Sequence, residues 1–131
     1  PRENLPRLVD PRDKTADLDL RARSYLQANC AICHVNAGGG DSQFDFEFHL
    51  PLEKTKLVNA IPVHDTLGME GARLVTPGNP GASILWQRVV RRGPGQMPPL
   101  GSSIIDVDAM LLLLEWIANM KSPAGHSHAP R

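Results

Sequence analysis

Apolar and polar positions follow two periods along this chain. From Leu18 to Asn29 the apolar positions recur three and four apart, with Leu18, Ala22, Tyr25, Leu26 and Asn29 on one face and Asp17 placed to cap the start. That spacing predicts a first helix running into Cys30. From Phe44 to His49 the period drops to two: Phe44, Phe46 and Phe48 alternate with Asp45, Glu47 and His49. An extended piece with three rings on one side is expected, with room for a short hairpin or edge strand. Asn79 and Pro80 open a third segment as N-cap and first helical residue, Arg91 and Arg92 stand at its far end and Gly93 follows, which predicts a helix over about 80–92. Asp106 then caps the most apolar stretch, Val107 to Met120, closed by Lys121, Ser122 and Pro123.

Between these elements the chain is broken by turn formers. Residues 51–77 hold Pro51, Pro62, Gly68, Gly71 and Pro77 around a weakly helical stretch (52–60) and read mostly as loop; Gly93 to Ser103 is also rich in Gly and Pro. Residues 1–16 mix prolines with charges, as a linker or N-terminal arm does, and 122–131 are too polar to pack and read as a flexible tail. A single all-α domain over residues 17–121 is the expectation.

Composition sharpens this picture in two places. Aromatic residues are only 5% of the chain while Gly (11) and Pro (12) are abundant, so a core of side chains alone is thin and a large apolar cofactor would complete it. Fourteen basic and fourteen acidic side chains cancel, which argues against a nucleic-acid or anionic-membrane footprint. No apolar run reaches the roughly 18 residues that would predict membrane insertion. The start at Pro1 lacks the basic-then-apolar pattern of a secretory leader, so the chain is expected to be processed or excised from something longer.

The chemistry concentrates at Cys30-Ala31-Ile32-Cys33-His34, which fits the Cys-X-X-Cys-His attachment sequence for c-type haem. On a helical turn the two thiols lie on one side and can add to the two vinyl groups, while the next residue projects its imidazole at the iron. A thiol-redox pair usually opens a helix, where the dipole favours thiolate; here the first helix leads into the cysteines. A structural zinc wants four ligands, and no second Cys/His pair with finger spacing exists. One covalent haem c is therefore expected on Cys30, Cys33 and His34.

For the sixth ligand, Met97 lies in Gly93-Pro94-Gly95-Gln96-Met97-Pro98-Pro99-Leu100, where the prolines stiffen an extended backbone that can point a thioether inward. Met110 and Met120 fall in the last helix and suit packing, and Met69 sits in a loop without that stiffening. His49 or His64 as a second imidazole is the rival arrangement; His126 and His128 form only a weak metal-binding pair in the tail. His/Met ligation by His34 and Met97 is the reading adopted.

With this attachment sequence after a first helix, a Met-Pro-Pro loop later and an apolar last helix, residues 17–121 resemble class I cytochromes c. The likeness is strongest to haem domains at the C-terminus of bacterial secreted multidomain proteins, some fused to quinoprotein-type or sugar dehydrogenase modules. It is carried by Ala22-Arg23-Ser24-Tyr25-Leu26 before Asn29-Cys30, Pro77-Gly78-Asn79-Pro80 with Ser83-Ile84-Leu85, Gln96-Met97-Pro98-Pro99-Leu100-Gly101, and Trp116-Ile117. The resemblance implies a cytochrome c-like helical fold around one haem, first and last helices crossing, Tyr25 and Trp116 near that crossing or the haem wall, and electron transfer rather than catalysis. It also implies a redox protein or fused dehydrogenase as partner, a monomer as isolated domain, and a periplasmic or otherwise exported location.

Two departures stand out. Many class I members place a proline soon after the attachment histidine to set a carbonyl against its Nδ1, whereas here the next proline is Pro51, which leaves the group that orients His34 open. The Asp41–Val75 stretch is a long insertion, and its three phenylalanines either shield the haem or pack a flap. Arg73, Arg88 and Arg91 are the candidates for pairing haem propionates. A haem enzyme or gas sensor, with Met97 off the iron, is the alternative function; a colourless thiol or metal module is the other.

Overall fold

The computed structural model describes residues 4–123. Three α-helices form: α1 (Leu18–Asn29), α2 (Ile84–Val90) and α3 (Val107–Asn119). Two single 3₁₀ turns, Leu52–Lys54 and Pro80–Ala82, accompany them, and no strand forms among the described residues. None of these helices is long and apolar enough to cross a membrane. The tail histidines His126 and His128 lie outside the described residues.

The ends of α1 and α3 are set by carboxylates. Asp17 accepts from the Leu20 amide at 3.1 Å and Asp106 from the Ala109 amide at 3.0 Å, each satisfying a donor that the first helical turn leaves free. Asp106→Ala is expected to cost about 1 kcal/mol, read as a lowered denaturant midpoint with unchanged slope.

Helix α3 buries Ala109, Leu112, Leu113, Trp116 and Ile117, a strict three-and-four repeat, against Ala22 and Leu26 of α1. Trp116 spans the crossing and donates from Nε1 to Asp19 Oδ1 at 2.9 Å, so its one polar atom is satisfied inside the contact. Helix α2 closes the third side through Ile84 and Val89, and Leu57 and Val75 from the long loop complete the core.

Three segments differ from their sequence patterns, one through a buried side chain and two through backbone bonds to other loops. The helix expected over 80–92 is interrupted at Ser83, whose φ and ψ of −105° and 118° are extended. Ser83 is fully buried: its hydroxyl donates to Asn79 O at 2.8 Å and accepts from the Thr76 amide at 2.8 Å, while the Ile84 amide leaves the helix for Arg73 O. At the other end Arg91 is already extended, and the Arg92 guanidinium donates to the Val89 and Arg91 carbonyls.

No hairpin forms at Phe44–Phe48. The Phe46 amide donates to His34 O and the Asp45 amide to Thr55 O, so this segment's hydrogen bonds go to the turn after α1 and to the loop rather than to a partner strand. The weakly helical stretch 52–60 keeps only the turn Leu52–Lys54. Beyond it Asn59 and Ala60 pair with Val75 and Leu74, and Leu74 pairs in turn with Leu85. This ladder ties the long loop to α2.

The described part of the N-terminal arm lies against α1. Ser24 accepts from the Val9 amide at 3.0 Å and Arg21 donates to Pro11 O at 2.9 Å, which buries two polar residues on a face the apolar pattern left to solvent.

Candidate functional site

Helix α1 ends at Cys30, whose amide donates to Leu26 O, and the chain then makes one more turn in which the His34 amide donates to Cys30 O at 2.9 Å. This turn puts Cys30, Cys33 and His34 on the lining of one cleft of about 650 Å³. Its volume falls in the ~300–1,000 Å³ range of cofactor pockets. The rest of the lining comes from Leu57 and residues 60–65, from Leu74, Leu85 and Val89, and from Met97 to Leu100, among others. The lining is mostly apolar, so the cleft suits a large apolar group.

The two thiols differ. Cys33 is exposed and Cys30 is half-buried; burial, with a smaller contribution from neighbouring Cys33, pushes the Cys30 thiol up to about 12. Cys30 also sits at the negative end of α1. Both effects disfavour thiolate, the opposite of what a thiol-redox pair requires. Among the described residues, no three His, Cys, Asp or Glu side chains come together as a metal-ligand set, so the donors of a structural zinc are not assembled there.

His34 is gripped on three sides. Its Nδ1 lies 2.7 Å from Ser42 Oγ, Phe44 stacks on its face with centroids 4.7 Å apart, and Phe46 meets it edge-on at 5.9 Å. Burial holds the imidazole below its usual range, which keeps it neutral near pH 7, the form able to ligate a metal. The chain reverses through Gly38–Gly40 to deliver Ser42. A Cβ on Gly40 would stand 2.8 Å from His34 Nδ1 and 2.9 Å from Cys33 O, so only glycine allows this approach.

Phe44 and Phe46 thus wall the cleft beside His34, while Phe48 turns away under Arg23, whose guanidinium lies 5.9 Å from its ring centroid. Arg23 causes that turn. One of its terminal nitrogens donates to the carbonyls of Glu47, Phe48 and Leu50, and Gln27 accepts from the Phe48 amide at 2.7 Å. The wall is therefore mounted on α1.

Met97 lines the cleft from a braced loop. Its amide donates to Arg88 O at 3.0 Å, the Arg88 guanidinium donates to Gly95 O at 2.9 Å, and the Gln96 carboxamide donates to Pro98 O and Ser102 O while accepting from the Gly93 amide. Met110 and Met120 belong to α3 and its C-cap, and neither they nor Met69 line the cleft.

Of the two rival histidines, His49 is away from the cleft, 3.7 Å from Glu47, whereas His64 lines it and pairs with Asp41 at 3.2 Å. Of the three candidate arginines only Arg88 lines the cleft, and it is already engaged with Asp65 and Gly95; Arg73 bonds its own neighbourhood and Arg91 bonds Gln87 O. Lys56 also lines the cleft and makes no ion pair among the described residues. Tyr25 lines the cleft, its phenol pushed up to about 12 chiefly by burial, whereas Trp116 lies in the helix crossing and not on the cleft.

Ser42, Gly40, Gln96, Arg23 and Lys56 are the site residues that sequence patterning missed. Ser42 and Gln96 act here by closing loops on residues two to eight positions away, which leaves no periodic trace. No known family model, curated protein or solved structure matches this chain.

Proposed function

We propose that this chain carries one haem c, attached through Cys30 and Cys33 with His34 and Met97 as axial ligands, in a cytochrome c-like helical fold, and that it transfers single electrons. The observation that carries this reading is the convergence of both cysteines, the His34 imidazole and the loop-borne Met97 on one apolar cleft of about 650 Å³. Haem supplies there an iron centre that alternates between ferric and ferrous.

The chain's own residues do the rest. Cys30 and Cys33 fix the group to the end of α1. His34, with Nδ1 engaged by Ser42, keeps Nε2 available to the cleft. The Met97 thioether would favour ferrous iron relative to a second imidazole and so raise the potential of a bound haem. Tyr25, Phe44 and Phe46 exclude water from the attachment side. Lys56 is the cleft cation free to meet a propionate, with Arg88 beside it holding the Met97 loop.

Ile32, Pro99 and Leu100 are exposed on the cleft rim, Ile32 and Leu100 at 84% each, and give a redox partner a small apolar contact. That partner is a redox protein or a dehydrogenase, separate or covalently joined. Since haem is attached to such sequences outside the cytoplasm, the protein works in the periplasm or another exported compartment.

Intact mass spectrometry of protein matured in a competent host tests this directly. The expected result is the peptide mass plus one haem, a c-type pyridine haemochrome spectrum, and no thiol free to react with an alkylating agent after denaturation. A bare peptide mass with two reactive thiols refutes the reading. Rapid carbon monoxide binding by the reduced haem protein would instead show an open axial position.

A further inference from the structure

The attachment turn lacks the nearby proline that would set a carbonyl against His34, and a hydroxyl takes that place. Ser42 is brought there by backbone bonds: the Gly40 amide donates to Cys33 O at 2.8 Å and the Ser42 amide to Gly40 O at 2.9 Å. With Phe44 stacked on the ring and Phe46 at its edge, the imidazole plane is fixed and the Ser42 contact distinguishes one ring nitrogen from the other.

We propose that Ser42 is the positioning residue of His34: its hydroxyl oxygen accepts the Nδ1 proton, holds Nε2 bare toward the cleft, and through that one bond sets the basicity of the ligand and the reduction potential. The part concerning potential rests on the haem reading above. A hydroxyl differs from a carbonyl in being able to donate as well as accept. Donation to Nδ1 would place the ring proton on Nε2 and leave no lone pair for a metal, so the direction of this bond decides whether His34 can ligate. Its neutrality matters equally. The adjacent residue, Asp41, presents a carboxylate to His64 Nε2 at 3.2 Å, so one dipeptide offers an anion to one cleft histidine and a neutral acceptor to the other. An anionic acceptor on Nδ1 would load charge onto the imidazole and favour ferric iron.

The experiment compares the reduced and oxidised holoprotein with three variants. Ser42→Ala removes the acceptor and is expected to shift the equilibrium about tenfold toward ferrous iron, a rise of about 59 mV for one electron. Ser42→Thr retains the hydroxyl and stays within about twofold of the parent, while Ser42→Asp moves the potential the opposite way. In ¹⁵N–¹H spectra of the reduced protein the His34 Nδ1 proton is expected in slow exchange in the parent and in Ser42→Thr, and lost to exchange in Ser42→Ala.

A haem-bearing Ser42→Ala protein with the parent's potential and an unchanged Nδ1 proton overturns the role of Ser42 and leaves the haem reading standing. A chain bearing no haem refutes that reading; the tautomer measured on the same sample still decides the contact, and a proton on Nε2 in the parent overturns it.

Discussion

Replacing Met97 with alanine is expected, on the haem reading proposed above, to abolish the weak near-infrared band of sulfur-to-iron coordination in the oxidised protein and to open the iron to added imidazole or carbon monoxide. The effect should be local, because the loop that carries Met97 is shaped by other atoms. Its bends are held by the Met97 amide on Arg88 O, by the Arg88 guanidinium on Gly95 O, and by the Gln96 carboxamide bridging Gly93, Pro98 and Ser102. None of these involves the thioether. Truncation therefore removes a ligand and leaves its scaffold, and the potential is expected to fall by on the order of 0.1 V, a fraction of the ~0.8 V over which axial ligands set haem potentials. His49→Ala should leave the band untouched, since His49 stands away from the cleft. His64→Ala is the sharper control, because His64 lines the cleft and is, among the described residues, the one rival imidazole within it. A band that survives in Met97→Ala, or is missing from the parent, removes Met97 from the iron.

Leu113→Ala is expected to destabilise the fold by about 3 kcal/mol, within the ~2–5 kcal/mol range for buried leucines, with Tm lower by roughly 10 °C. Leu113 is fully buried at the contact with α1, where Ala22 is also fully buried and brings the two backbones close. Neighbours packed this tightly relax little into a cavity, which keeps the cost high. Leu111, on the same helix but 53% exposed, supplies the comparison: its alanine variant should stay within about 0.5 kcal/mol of the parent. Equal losses at the two positions would mean that α3 does not pack on α1 as described.

Helices α1 and α3 were legible because each combines an acidic cap with apolar spacing sustained over three turns or more. Helix α2 was legible only as a tendency. Nothing in Pro80–Arg92 itself announces that Ser83 will bond Asn79 and Thr76 and divide the segment, since the competing partner Thr76 lies outside it. The Phe44–Phe48 alternation was real as an extended segment but gave the wrong face for Phe48, because Arg23, twenty-five residues away, draws the following carbonyls round itself. At the cleft, Cys30, Cys33 and His34 stand out in the sequence by their spacing. Ser42 does not, since a serine after three glycines reads as loop, and only the closure of that loop on His34 gives it a role.

The mooring of residues 44–50 on Arg23 and Gln27 has a bearing on how this architecture tolerates change. The aromatic screen and the cysteine pair share one rod as their base, so they shift as a unit when that rod tilts, and His34 keeps its surroundings. Residues 61–71 hang from other supports, Asp41 on one flank and Arg88 on the other. Lengthening or shortening that span should thus remodel the far bank of the cleft while the imidazole side stays as it is.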